Sequence, residues 1–193
     1  MPDVRPADRR SERGRGCGFE VEIVVGNHGP DVRADGTGSV ASMSDVESVE
    51  RTIAAPPEAI WALVADPRRH HEIDGSGTVR DAKNLPERLE LGSRFGMSMK
   101  LGLPYSMVSE VVEFEPNRRI AWQTFPPGPG RYLLGGRIWR YELEPVEGGT
   151  LVRESWDITK ERVKAMVRPA RNKTREAMAA TLERIERIVT ATN

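Results

Sequence analysis

The chain has 193 residues, 30% of them charged, and its 29 Lys and Arg balance its 29 Asp and Glu. That balance excludes the basic excess of a general nucleic-acid or anionic-membrane binder and leaves open only a local basic patch. Cys17 is the single cysteine, so intrachain disulfides and zinc sites built on paired cysteines are ruled out, and no apolar run approaches the ~20 residues that cross a bilayer.

Residues 1–42 carry seven of the eighteen glycines, many arginines and one short apolar run, FEVEIVVG. Phe19, Val21, Ile23 and Val25 alternate like a strand, but nothing around them offers a packing partner. The segment is expected to be a disordered or dispensable extension, with an added edge strand as the alternative. The basic N-terminus lacks a following signal-peptide apolar stretch, so a cytoplasmic location is expected. Met43 opens the folded domain, 43–193.

Regular signals begin at Val46. VESVERTIA alternates as a strand and stops at Pro56-Pro57, which suits a helix start. PPEAIWALVAD is a short helix ended by Asp66-Pro67, and a turn or second short helix covers RRHHEI. Strands are predicted near 76–82, 94–101, 105–115, 118–125, 136–145 and 150–158, separated by Pro, Gly and Asn turn signals. From Val163 to Val189 apolar residues recur at three- and four-residue steps, an amphipathic helix that Pro169 should kink or split. Strands followed by one helix give an α+β architecture, with the helix covering one sheet face and a concave apolar space between them.

The run VERTIAAPPEAIWALVADPRRHHEID, with VVEFEPNRRIAW and WRYELEPVEGGTLVRESWD, resembles the START-like (SRPBCC) superfamily, in particular its polyketide cyclase/dehydrase and lipid transport family. The resemblance covers about residues 46–190. It implies a helix-grip fold, a curved seven-stranded antiparallel sheet around a long C-terminal helix, with an internal ligand cavity. It implies binding of lipids, polyketides, sterols or hormones, and catalysis of cyclisation, aromatisation or dehydration in a minority of members. No shared catalytic signature comes with it.

Strand parity sorts the residues by face. Phe95, Met97, Met99 and Leu101 share one side, as do Trp139, Tyr141 and Leu143, while Ile120 and Trp122 face inward. Met166 and Met178 belong to the helix stripe. Large aromatic and flexible methionine side chains suit an apolar ligand, although the same residues also make ordinary core. Three charges fall on apolar parity: Arg51 between Val49 and Ile53, Glu110 with Val108 and Val112, and Glu154 with Val152 and Trp156. A buried charge needs a partner or a role. Arg51 is therefore expected to pair with Glu154 across neighbouring strands, and Arg51, Glu110 and Glu154 to form the polar end of the cavity. Exposure at strand ends or a bulge is the alternative. Tyr132 and Leu133, in the loop FPPGPGRYLLGG, read as a lid or as dimer contacts.

In DPRRHHEIDGSG, adjacent histidines point in different directions and no three or four ligands converge, so no metal site is expected. His71 and Asp74 are placed at the cavity entrance. The basic segment 160–175 reads as a solvated helix face. No cofactor is implied. The functional reading is a small-molecule binder for an apolar, lipid- or polyketide-like ligand. One alternative is a cyclase or dehydratase using Glu110 or Glu154 for proton transfer and Tyr141 as donor. The other is a regulatory or partner-binding protein with a vestigial cavity.

Overall fold

The computed structural model describes residues 44–191. The expectations for 1–42, including the strand at 19–25, lie outside the described residues. Strand β1 (Val46–Ile53) leads into helix α1 (Pro57–Val64), a 3-10 turn (Pro67–Arg69) and helix α2 (His70–Ile73). Six strands follow: β2 (Val79–Lys83), β3 (Arg94–Leu101), β4 (Leu103–Glu115), β5 (Arg119–Phe125), β6 (Ile138–Val146) and β7 (Gly149–Asp157). Helices α3 (Lys164–Val167) and α4 (Arg171–Thr190) close the chain. All pairings are antiparallel, in the order β1-β7-β6-β5-β4-β3-β2. This is the α+β helix-grip fold expected from the sequence.

Local chemistry explains the element boundaries. Pro57 opens α1 at a position where its missing N–H costs nothing. The Ala55 carbonyl just before it accepts a 2.8 Å hydrogen bond from the fully buried Thr150 hydroxyl. Asp66 caps the following turn by accepting from the Arg68 N–H at 3.0 Å. The β3–β4 hairpin turns on Gly102, whose φ of +72° is strained for any residue with a Cβ. Pro169 cannot donate within a helix, and residues 168–170 form a 3-10 turn that separates α3 from α4. α4 then packs Met178, Leu182, Ile185 and Val189 against the sheet, each contributing about 1.5–3 kcal/mol by burial.

The core lies between α4, α1 and the concave sheet face. Ile53, Ile60, Val64, Phe95, Ile120, Val152, Leu182 and Ile185 are its most enclosed members. Trp61 closes one flank by meeting the Phe114 ring edge-on at 5.5 Å.

The connection from α2 to β2 is fastened to α4. A Cβ on Gly75 would lie 2.1 Å from the Ala177 carbonyl oxygen and 2.6 Å from the Thr181 nitrogen, so only glycine fits there. The Gly75 N–H donates to the Thr181 hydroxyl at 3.0 Å, and Arg184 donates to the Asp74 carbonyl. The Asp74 carboxylate organises the turn, accepting from Ser76 N (3.0 Å), Ser76 Oγ (2.6 Å) and Val79 N (2.8 Å). Among the described residues no helix is long and apolar enough to cross a membrane.

Candidate functional site: a cavity under the long helix

Between the concave sheet face and α4 lies a cavity of about 300 Å³. β3 supplies Phe95, Met97, Met99 and Leu101 from alternate positions, and β4 adds Tyr105, Met107 and Ser109. β5 and β6 contribute Trp122, Trp139 and Tyr141, β7 contributes Glu154, and α4 covers them with Thr174, Ala177, Met178 and Thr181. The mouth is marked by lining residues that are also exposed: Ser76, Leu101, Tyr105, Ala170 and Lys173. A second depression, about 280 Å³, runs over the β4–β5 turn and β6. Its charged side chains already pair among themselves, as Arg119 does with Glu115 and Arg153 with Glu142. The internal cavity is therefore the candidate site.

Register sets the inward side chains of β5–β7 in two rows. Trp122 and Trp139 line the cavity nearer the mouth with Trp156 as their cross-strand neighbour, and Tyr141 and Glu154 line it one row further in, beside Ile120. His70 reaches this interior from α2 and stacks on Trp122 at 5.0 Å. Its Nε2–H donates to the Val64 carbonyl at 3.0 Å, since a carbonyl only accepts, which leaves Nδ1 as the basic nitrogen of a neutral ring. Burial pushes the His70 pKa down and favours that neutral form.

Glu154 is the electrostatic anomaly of the interior. It is 3% exposed, and the Tyr141 hydroxyl donates to its Oε1 at 2.8 Å. Its Oε2 is buried without a hydrogen-bond partner. Burial pushes the carboxyl up to about 8, outweighing the Tyr141 hydrogen bond, with Asp74 adding repulsion. At neutral pH the group is a carboxylic acid, and with Oε1 accepting from Tyr141 its own proton belongs on Oε2. Burial, with Glu154 beside it, raises the Tyr141 pKa well above the usual phenol range, so the phenol keeps its proton as well. The pair presents one free donor, the proton on Glu154 Oε2, to a mostly apolar chamber.

The structure brings Met97, Met99, Trp122, Trp139, Tyr141, Glu154, Met178 and Asp74 to the cavity. It places the other expected residues elsewhere. Arg51 does not meet Glu154: it stands opposite Val152 in the register and pairs with Glu186 of α4 at 2.6 Å. Glu110 faces away from the cavity, held by Arg94 at 2.8 Å and Arg131 at 3.8 Å. The cause is a register shift between Val111 and Glu113 that exchanges faces along β4, so Ser109 and Val111 point in before the shift and Phe114 after it. Trp156 is buried with Ile158, Val167 and Met178 in an adjoining apolar cluster. Met166 is 65% exposed because the break at Pro169 turns α3 away from the α4 stripe. His71 is exposed and bonds through Nδ1 to the Arg68 carbonyl (2.9 Å), and Tyr132 and Leu133 are exposed on their loop without lining the cavity.

Sequence reasoning missed His70 and Arg137. Arg137 lines the cavity and reaches the buried Glu161 carboxylate at 3.5 Å. Neither is marked in the sequence: two adjacent histidines on a short helix do not say which of them, if either, is buried. Among the described residues no group of three His, Cys, Asp or Glu side chains is arranged to hold a metal ion.

The family model for polyketide cyclase/dehydrase and lipid transport proteins matches residues 46–190, every element from β1 to α4. The chain belongs to this family. Over 107 residues it is 44% identical to Rv0088, an uncharacterised protein of Mycobacterium tuberculosis, an alignment covering 54% of this chain and 44% of that protein. The chain thus spans less than half the length of the curated relatives it matches. Among solved structures it is similar to Ms6760 from Mycobacterium smegmatis, with a TM-score of 0.59 at 18% identity, covering 78% of this chain and 94% of that one. It is also similar to CV1439 from Chromobacterium violaceum, with a TM-score of 0.59 at 19% identity and coverages of 75% and 96%. At 18–19% identity the likeness to these solved structures concerns the fold alone.

Proposed function

We propose that the protein binds a mostly apolar small molecule in the cavity, with the ligand's one polar group set against Tyr141 and Glu154. The observation that carries this reading is the buried Glu154 Oε2 without a partner at the inner end of an apolar chamber. A buried polar atom left unpaired costs about 1–3 kcal/mol, and a ligand hydroxyl or carbonyl at that point would recover part of it. The protonated acid donates from Oε2 to a ligand oxygen such as that of an alcohol or ketone, and a neutral head group avoids the desolvation cost of burying an anion there. The volume, about 300 Å³, sits at the lower bound of ordinary ligand sites, and the flexible Met97, Met99, Met107 and Met178 give the walls room to adapt.

Native mass spectrometry of protein purified from its own host tests this. The expected result is a one-to-one adduct of a neutral apolar compound, released on unfolding and weakened by Glu154→Leu. Ligand-free protein that also fails to take up a long-chain alcohol or ketone would refute it.

A second reading, a cyclase or dehydratase, is favoured by one specific feature. A carboxyl group with a pKa near 8 is poised to give and take a proton at neutral pH, and the Tyr141 hydroxyl, which donates to its Oε1, holds it in place. Glu154→Gln separates the two readings: a binder keeps its ligand, whereas an enzyme keeps its ligand and loses turnover.

A further inference from the structure

The large apolar side chains left exposed are not scattered. At one end of the sheet β1, β2, β4 and β6 begin and β3, β5 and β7 finish, and the cavity mouth opens there. Leu101 and Leu103 flank the β3–β4 turn at 62% and 80% exposure, Tyr132 and Leu133 cap the β5–β6 loop at 74% and 73%, and Met166 projects from α3 at 65%. Leu91 and Val146, at other places in the fold, are the exceptions. Exposed apolar groups gathered at one end call for an occupant.

Charge at the same end indicates its chemistry. Lys100 follows the mouth-lining Met99, Lys160 follows the end of β7, and Lys173 and Arg175 stand on the first turns of α4; all four are exposed and form no ion pair with a described residue. Arg162 lies over the Phe125 ring at 5.5 Å. Lys164, Arg168 and Arg171 surround them, partly neutralised by Asp45 and Glu47. A chain with no net charge has therefore concentrated cations around a ring of apolar tips.

We infer that this end docks on the surface of an anionic bilayer, with Leu101, Leu103, Tyr132, Leu133 and Met166 entering the interface and the basic collar resting on lipid head groups. Apolar tips give area-dependent insertion, and each lysine or arginine adds head-group attraction that salt screens. The cavity mouth would then face the acyl region, so an apolar ligand could enter without crossing water. Only that consequence rests on the ligand-binding reading; docking stands or falls by itself.

The test is co-sedimentation of the full chain with sucrose-loaded vesicles of phosphatidylcholine alone and of phosphatidylcholine with 30% phosphatidylglycerol, about 0.1 M and 0.5 M salt, alongside sedimentation velocity. The inference predicts binding to the anionic vesicles at low salt, at least tenfold weaker on neutral vesicles or at high salt. Leu103→Ser with Leu133→Ser should weaken binding at least tenfold, and Lys100→Glu with Arg175→Glu by a further twentyfold or more, at roughly fivefold per charge lost. Leu103→Ser, which does not line the cavity, should leave uptake of a soluble long-chain alcohol unchanged. No sedimentation with anionic vesicles, or binding indifferent to these substitutions, overturns the inference. So does a stable dimer that Leu103→Ser dissociates, because the apolar tips would then be covered by a second copy. Loss of alcohol uptake in unmutated protein that still binds vesicles would instead count against the ligand reading alone.

Discussion

Replacing Glu154 by glutamine removes one proton equilibrium and changes little else in the interior. The amide keeps the shape of the protonated acid, accepts from the Tyr141 hydroxyl through its oxygen, and carries donors where the acid carries its proton. In the folded protein burial moves the Glu154 carboxyl from 4.5 to about 8. Between those values the unfolded carboxyl is ionised while the folded one remains protonated. The folded state then binds more protons, and stability falls as pH rises through the window. The gap corresponds to about 5 kcal/mol at roughly 1.36 kcal/mol per pKa unit, and relaxation or water entry lowers the measured value to a few kcal/mol. Glu154→Gln should therefore be close to neutral at pH 4.5 to 5, and by pH 8 more stable than the parent by a few kcal/mol. Urea denaturation of both proteins at intervals across that range gives the difference directly, and the other titrating groups cancel in it. Parallel stability curves would show that Glu154 is ionised or solvated in the folded protein, and the account of the cavity's inner end would fail.

Other substitutions probe the frame around the site. Gly75→Ala forces a Cβ into the α4 backbone and should cost at least about 2–3 kcal/mol, read as a lowered urea midpoint. Trp122→Ala removes the stacking partner of His70 and should cost about 3–5 kcal/mol in the same measurement while enlarging the cavity. Arg51→Met breaks a half-exposed pair with Glu186 and should cost under about 1 kcal/mol, with ligand uptake unchanged by fluorescence displacement, since Arg51 does not reach the cavity.

Much of the architecture is legible in the sequence, because the features that decide it are local. Period-two alternation fixes the inward face of β3, β6 and β7, and Glu115-Pro116-Asn117 and Gly148-Gly149 mark two of the hairpins. The same parity correctly turned Tyr141 and Glu154 inward together. It failed on β4, where one extra residue between Val111 and Glu113 reverses the faces and carries Glu110 to the outside. A bulge of this kind leaves no mark in composition. It failed again at Met166, which keeps the spacing of the helix stripe but stands on the far side of the break at Pro169. Parity also set Arg51 beside neighbouring strands without revealing α4, whose Glu186 offers the nearer and better exposed partner. The stretch DPRRHHEIDGSG shows the opposite limit. Its carboxylate and glycine serve the turn and the contact with α4, Ile73 anchors it in the core, and the interior place of His70 is identified by burial, which sequence does not display.

The central claim, that an apolar ligand occupies the space beneath α4, is tested most directly by methionine methyl NMR during titration with a long-chain alcohol. The chain has seven methionines, of which Met97, Met99, Met107 and Met178 line the cavity and Met166 stands outside it as an internal reference. The account predicts saturable shifts of the four cavity methyls at one equivalent, with Met166 unmoved. Shifts confined to Met166, or no saturable shift in any cavity methyl, would contradict it.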